Sequence, residues 1–527
     1  MPPPPKKAAP AFPSASTPAV TPPPAHASLI LALIVFLAGA AVMVIEICAN
    51  RLLAPVYGNS VFTWTSLIGV ILICFSAGGY LGGYLADKRA DFAVLGWLLA
   101  TASVLTMFVP AIFALVGPAF KDMGVIAGPV LISSLLFALP GVLLGAVSPA
   151  SLRLYSLLGR DAHVGFAAGT ISMLGSLGSF VGTFLSGFYL VSHFSRTSIF
   201  VCTGVVLFLL AAAAFYLARH NARVQAPVWV GGIIAVLIGA TSQEGQALDT
   251  VYQKDSLYHR ILITEQQKGT PDAVRYLQLD STYEGAMRVN DGEVVMKYQQ
   301  FWRLPTMKPG LKVDNALFIG AGAFGMPEQI SRQYPQSTVD VVEIDPAVIE
   351  AGRKFFKLDE FPRVQAHASD GRRFLSGSGG RKWDFIFGDA YNGMRQIPLH
   401  LASKEFFQLV HDHLTPQGIF LMNIISAVEG PRGELLAGMV KTLQEVFPHV
   451  EIFAVEHRLD VAQNVMVLAS NDDWKPVFTD NSYVTGSWES GISNCFVPAA
   501  QRPADGAIFT DNLNPVDAII ARGLLRD

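Results

Sequence analysis

"ALFIGAGAFG", residues 316–325, is an apolar run that breaks into three glycines, Gly320, Gly322 and Gly325, spaced G-x-G-x-x-G. A buried strand feeding such a turn brings backbone N–H groups and a helix N-terminus close to a ligand, which suits a nucleotide or an adenosyl group. The spacing alone does not choose between a dinucleotide and a single adenosine, so the flanking strands matter. "VEID" follows about twenty residues further on and places Glu343 where an acid bonds ribose hydroxyls, with Asp345 close behind. After the next strand, "SDGRRF" puts Asp370 where it can accept from an adenine amino group, beside Gly371. One acid after the second strand and another after the third suit an adenosine better than a dinucleotide. Asp370 also reads as a helix N-cap, and the two roles are compatible.

The alternation around this turn predicts the fold. "NALFIG" (315–320), "TVDVVEID" (338–345), "RVQAHASD" (363–370) and "WDFIFGDA" (383–390) read as strands separated by helices, and helix 403–413 leads through "TPQG" to "IFLMNII" (419–425). Such alternation argues for a parallel sheet with helices on both faces. "HVEIFAV" (449–455) and "NVMVLAS" (464–470) are joined by a loop too short for a crossover, so they should pair antiparallel. That pattern is the tail of a Rossmann-like sheet of the S-adenosylmethionine methyltransferase type. Upstream, "YHRILITEQ", "VRYLQLD" and "GAMRVN" alternate with turns and read as a small antiparallel β domain.

The composition divides the chain. Of its 527 residues 51% are hydrophobic and 15% charged, and the apolar excess lies before residue 245 or so. Four regions follow: a Pro/Ala-rich tail (1–27) unable to form a core, a helical membrane domain (28–245), a small β-hairpin domain (246–310) and the Rossmann-like domain (311–527). Segments long enough to cross a bilayer centre on 29–49, 61–86, 92–116, 124–150, 164–191 and 197–218, and 227–241 is a shorter seventh. Lys6, Lys7, Lys88, Arg89, Arg153, Arg160, Arg219 and Arg223 fall on one side of these spans; Arg51, Lys121 and Arg196 fall on the other. The positive-inside rule then puts the N-terminus in the cytoplasm. Adenosyl donors are cytoplasmic metabolites, so the catalytic half is expected there too, as part of an integral protein of the cell (inner) membrane. Both expectations hold together only if 227–241 does not span. Gly78-x-x-x-Gly82, Gly79-x-x-x-Gly83 and Gly178-x-x-x-Gly182 are spaced for close helix contact. Glu46 is the main ionisable residue within a span and lies near its end, where an interfacial carboxylate and a functional one are both readings. The net charge of −3 offers no basic excess for nucleic acid, and the four cysteines form neither a disulfide framework nor a zinc spacing, so no metal is expected.

Together these residues resemble the membrane-fused form of the spermidine synthase (aminopropyltransferase) family over about residues 250–470. "SLYHRILI" resembles the family's S-x-Y-Q-x-I strand, with His259 in place of Gln, and "LQLDSTYEGAM" resembles its L-x-L-D-G-x-x-Q hairpin. "YQQFWRLP" resembles its Y-x-E-x-x-x-x-x-P stretch, while "VEIDPAVIE" and "SDGRRFL" are close matches. The resemblance implies a donor site of Gly320, Gly322, Gly325, Glu343, Asp345, Asp370, Gly371, His259 and Gln299, and an amine site of Tyr298, Tyr391 and Asn392. It makes Asp389, in "WDFIFGDAY", the base that takes a proton from the attacking amine; a strand-end cap is its other reading. The implied co-substrate is decarboxylated S-adenosylmethionine, with no permanently bound cofactor. The implied partner is a small amine such as putrescine, and a homodimer is compatible with the family. Two departures stand out. The family's glycine-loop aspartate is Ala323 here, and the second acid of its D-x-x-D is Asn392. Both missing acids face cationic amines in the family, and Asp280, Glu284 and Glu293 are candidates to replace their charge. Loss of the loop acid also removes a barrier to ordinary S-adenosylmethionine. A methyltransferase acting on a membrane-associated substrate, and a transporter-like protein with an adenosyl-sensing domain, therefore stand as alternatives.

Overall fold

The structure is a computed structural model that describes residues 26–57, 61–120, 123–124, 126–158, 164–218, 249–391, 396–456, 458–472, 494–503 and 505–524, and the single residues 232, 474 and 492. Among the described residues six helices are long and apolar enough to cross a membrane. They are α1 (Ala27–Tyr57), α2 (Val61–Lys88), α3 (Phe92–Phe120), α4 (Ala127–Leu158), α5 (Val164–Leu185, continued by a π-helical turn, Ser186–Leu190) and α6 (Arg196–Ala218). Their limits follow the six long apolar segments of the sequence; 227–241, apart from Gly232, lies outside the described residues.

Small residues set the packing of this bundle. A Cβ on Gly178 or Gly182 would collide with the backbone of Phe36 or Ala40 in α1, and one on Gly78 or Gly82 with Val142 or Ala146 in α4. Those two pairs are therefore the contact stripes. Gly79 and Gly83 meet nothing within 4 Å and play no such part.

Two sheets follow. β1 (Thr250–Asp255), β2 (Arg260–Gln266), β3 (Val274–Leu279) and β4 (Thr282–Arg288) form an antiparallel sheet in sequential order. A seven-stranded sheet then comprises β5 (Asn315–Ile319), β6 (Thr338–Glu343), β7 (Val364–Ala368), β8 (Trp383–Gly388), β9 (Leu414–Ser426), β10 (His449–Ala454) and β11 (Gln463–Ser470). Its order is β10-β11-β9-β8-β5-β6-β7, with β5 to β9 parallel and β11 inserted antiparallel between β9 and β10. The expected antiparallel final pair is present. Helices α7 (Gly325–Gln333), α8 (Pro346–Phe355), α9 (Gly371–Gly377), α10 (Lys404–Asp412) and α11 (Glu434–Gln444) connect the strands, and α12 (Val516–Leu524) packs on α11. Strand order reverses between β5 and β8, and an open α/β sheet binds ligands at such a point.

The bundle meets the β1–β4 sheet at one end. Arg51 near the end of α1, Trp64 near the start of α2 and Arg196 at the start of α6 surround a cavity with Asp255, Arg260 and Asp280. The opposite end is marked by His26 stacked on Tyr216, close to the end of α6. The chain therefore leaves α6 at the end where α1 begins and enters β1 at the other. Gly232, between them, is buried against the ring of Phe208, half-way along α6.

One side chain on α7 is at odds with its surroundings. Glu328 is fully buried and neither carboxylate oxygen has a hydrogen-bond partner. Burial pushes its pKa up to about 9. Between pH 4.5, its ordinary value, and about 9 the folded state keeps a proton that the unfolded state releases, so stability falls as pH rises through that window. Glu328→Gln removes the titration. The variant should be more stable than wild type by roughly 1–3 kcal/mol at pH 8, with the gap closing toward pH 5. Thermal unfolding of the two proteins across that range checks this; a gap independent of pH would contradict it.

Candidate active site

The seven-stranded sheet and the hairpin sheet enclose a cavity of about 100 Å³ at the β5/β8 switch point. The glycine turn forms its floor. Gly320 has φ +98° and Gly322 φ +49°, and a Cβ on either would strike backbone, the Asp389 carbonyl or the Glu284 carbonyl respectively. Glycine is required at both, for conformation and for close approach. Gly325 starts α7, packs toward Val294 and does not line the cavity.

Glu343, at the end of β6, lines the cavity and accepts from the backbone N–H of Ala321 (3.2 Å) and of Asp345 (2.9 Å). Burial raises its pKa and those two bonds oppose the rise. Each oxygen retains a lone pair for a ribose hydroxyl. Asp370 also lines the cavity, and it caps α9 by accepting from Arg373 N (2.9 Å) while its other oxygen meets His400 Nε2 at 2.6 Å. Asp370 is thus the N-cap of α9 and also lines the cavity, with Gly371 beside it on the wall. His259 lines the opposite side, its Nδ1 3.0 Å from Asp280 Oδ2. Burial lowers its pKa, but the hydrogen bond and charge of Asp280 outweigh that, and the net shift is upward.

The reactive end of the cavity is acidic. Asp389 follows β8 and accepts from Asn423 Nδ2 at 2.8 Å and from the Tyr298 hydroxyl. Burial pushes its pKa up to about 7, and those two bonds resist the rise. Glu284, from β4, lines the same cavity and is also pushed up to about 7, by burial first and by the charge of Asp389, against a 2.6 Å bond from Thr282. Both carboxyls are thus raised chiefly by burial, and Glu284 additionally by the charge of Asp389. A cation held in the cavity beside them would offset that desolvation. The Tyr391 ring lines the wall, and its hydroxyl is tied to β9, donating to Asn423 O and accepting from Ile425 N, both at 2.9 Å.

Residues 304–471 match the family described as spermine/spermidine synthase domain. A polyamine aminopropyltransferase of Vibrio vulnificus is 29% identical over 185 residues, covering 33% of this chain and 59% of that protein. Over residues 304–471 the chain is similar to spermidine synthases. An eEF1A lysine and N-terminal methyltransferase of Homo sapiens is 30% identical over 150 residues, 27% of this chain and 21% of that protein. The chain thus spans less than two thirds of the length of either relative. A probable spermidine synthase structure from Corynebacterium glutamicum superposes with a TM-score of 0.39 at 19% identity, covering 45% of this chain and 85% of that one.

Several of the expected site residues lie off the cavity or behind its wall. Asp345 is off the cavity: its oxygens are taken by Ala347 N (2.9 Å), as the N-cap of α8, and by the Ser256 hydroxyl. An aspartate directly before Pro346 at a helix start serves the helix first. Gln299 is buried behind the glycine turn near Gly285 and Gly325, its Oε1 without a partner, and it does not reach the cavity wall. Tyr298 acts through its hydroxyl, which lies 3.1 Å from Glu284 O and meets Asp389. Asn392 lies outside the described residues. Ala323 is buried against Gly285 rather than facing the cavity. Of the three replacement acids, Glu284 faces the site, Asp280 stands behind His259, and Glu293 lies 3.7 Å from Arg303 away from it.

Two residues escaped sequence reasoning. His400, in the loop after β8, is brought to Asp370 by tertiary folding alone. Asn423 carried a signal, a lone amide inside the apolar run "IFLMNII". It links Asp389 to Asn464, whose Nδ2 donates to Asn423 Oδ1 at 3.1 Å. Among the described residues no cluster of His, Cys, Asp and Glu is arranged to hold a metal ion.

Proposed function

We propose that this protein is a membrane-tethered aminopropyltransferase that moves the aminopropyl group of decarboxylated S-adenosylmethionine onto a small amine. The observation that carries the reading is that Asp389 and Glu284 line one cavity with Glu343 and Asp370, both raised by burial to about 7. In the reaction the amine lone pair attacks the carbon attached to the sulfonium sulfur. The C–N bond forms as the C–S bond breaks, methylthioadenosine leaves, and the amine proton passes to Asp389. Glu343 and Asp370 hold ribose and adenine, Tyr298 and Asn423 orient Asp389, and Glu284 supplies the second negative charge where the family's other acids are missing.

A methyltransferase is the second reading, favoured by Ala323 at the family's loop-acid position and by the human methyltransferase relative. The two differ in product, methylthioadenosine against S-adenosylhomocysteine. Titrating the full-length protein with each separates them. The first reading expects methylthioadenosine to bind more tightly; preference for S-adenosylhomocysteine would overturn it.

For the membrane arrangement, we infer that the six helices lie in the cell membrane and that the catalytic half faces the cytoplasm, where its donor is made. Because the β1–β4 sheet docks at the end opposite His26, a cytoplasmic catalytic half places the N-terminus outside. The loop-charge bias favours the reverse orientation, so the two sequence expectations exclude each other, and supply of the donor is given precedence. Reporters fused before Met1 and after Asp527 are expected to report opposite sides, with the C-terminal one inside. Both on one side would contradict the docking geometry; a C-terminal reporter outside would contradict the donor.

A further inference from the structure

The cavity between the bundle and the hairpin sheet, about 180 Å³ in volume, plays no part in the chemistry above. Three guanidinium groups, Arg51, Arg196 and Arg260, face it, against two carboxylates, Asp255 and Asp280. Asp280 is already committed: Oδ2 is 3.0 Å from His259 Nδ1 and Oδ1 accepts from Arg260 N at 3.0 Å. Asp255 Oδ2 lies 4.0 Å from Arg196 Nε, at the outer limit of an ion pair. The wall therefore carries a net positive charge. Arg51 Nη1 is buried there without a hydrogen-bond partner. A buried guanidinium N–H left unpaired is costly, and its planar fork matches the oxygens of a phosphate.

We propose that this junction cavity binds a phosphoryl group, held by Arg51 with support from Arg196 and Arg260. Its position at the helix ends, beside Trp64, is the depth at which phospholipid headgroups and interfacial tryptophans lie. An anionic phospholipid and free phosphate share this chemistry. The lipid source rests on the bundle being membrane-embedded; the free-anion source does not.

The test uses the full-length protein in detergent. Inorganic phosphate is titrated against thermal unfolding, and native mass spectrometry follows retention of phosphatidylglycerol against phosphatidylcholine. Stabilisation by phosphate assigns a free-anion site. Selective retention of phosphatidylglycerol without a phosphate effect assigns a headgroup site. In either case Arg51→Gln should weaken binding about tenfold or more, the loss expected for a charged hydrogen bond. Asp255→Asn should tighten it by removing a competing acceptor. An ion-pair network that merely docks the two halves would gain no affinity in that variant. The proposal fails if neither ligand binds the wild type, if folded Arg51→Gln binds as wild type does, or if folded Asp255→Asn binds more weakly.

Discussion

Asp389→Asn is expected to lower turnover by about 10²–10⁴ while changing donor affinity by no more than a few-fold. The side chain stands at the C-terminal end of β8, on the cavity wall, with Asn423 at 2.8 Å and the Tyr298 hydroxyl in contact. The amide keeps the shape but loses the negative charge and the basic oxygen, whereas on the proposed reading the adenosine is held elsewhere, by Glu343 and Asp370. Because burial raises the Asp389 pKa to about 7, the wild-type rate should climb as pH rises through neutrality, when the acid becomes a base. The variant should lose that limb. Steady-state kinetics from pH 6 to 9 checks both points; near-normal turnover in Asp389→Asn would make the residue a strand-end cap.

Glu343 offers the second large effect, on binding. Two ribose hydroxyls donating to an ionised carboxylate are worth roughly 1.5–3 kcal/mol each. Glu343→Ala is a poor probe, because it would orphan the N–H groups of Ala321 and Asp345 and loosen the glycine turn itself. Glu343→Gln removes the charge and keeps one acceptor oxygen, so only one of the two N–H groups loses its partner. It should weaken methylthioadenosine binding at least about tenfold in protein shown to be folded by thermal unfolding. Calorimetric titration measures this, and an unchanged affinity would remove Glu343 from the donor site.

The strand–helix alternation was legible because buried parallel strands are continuous apolar runs bounded by turns. Two strands were read short or missed for physical reasons. "TPQG" reads as a turn, yet Thr415–Gly418 lies within β9, where pairing with β8 shifts between Trp383 and Phe385. β1 is an edge strand, half-buried along its whole length, with no clean alternation to betray it. In the site, Glu343, Asp370 and Asp389 could be found because each ends a parallel strand, and those ends converge at the switch point. Glu284 and His400 could not be placed: one depends on how the hairpin sheet packs over the glycine turn, the other on the course of a loop. Asp345, grouped with the donor acids by resemblance, is taken up as the N-cap of α8, a role consistent with the helix start that Pro346 signals. The relation between the bundle and the catalytic half was closed to sequence reasoning, since periodicity cannot say at which end of a bundle the next domain docks.

The most direct measurement supplies the full-length protein with decarboxylated S-adenosylmethionine, with and without a small diamine such as putrescine, and follows the adenosyl product. Methylthioadenosine that accumulates only when the amine is present, and falls to background in Asp389→Asn, is the expected result. No amine-dependent methylthioadenosine from the wild type, with S-adenosylhomocysteine formed instead from S-adenosylmethionine, would contradict aminopropyl transfer and establish methyl transfer in its place.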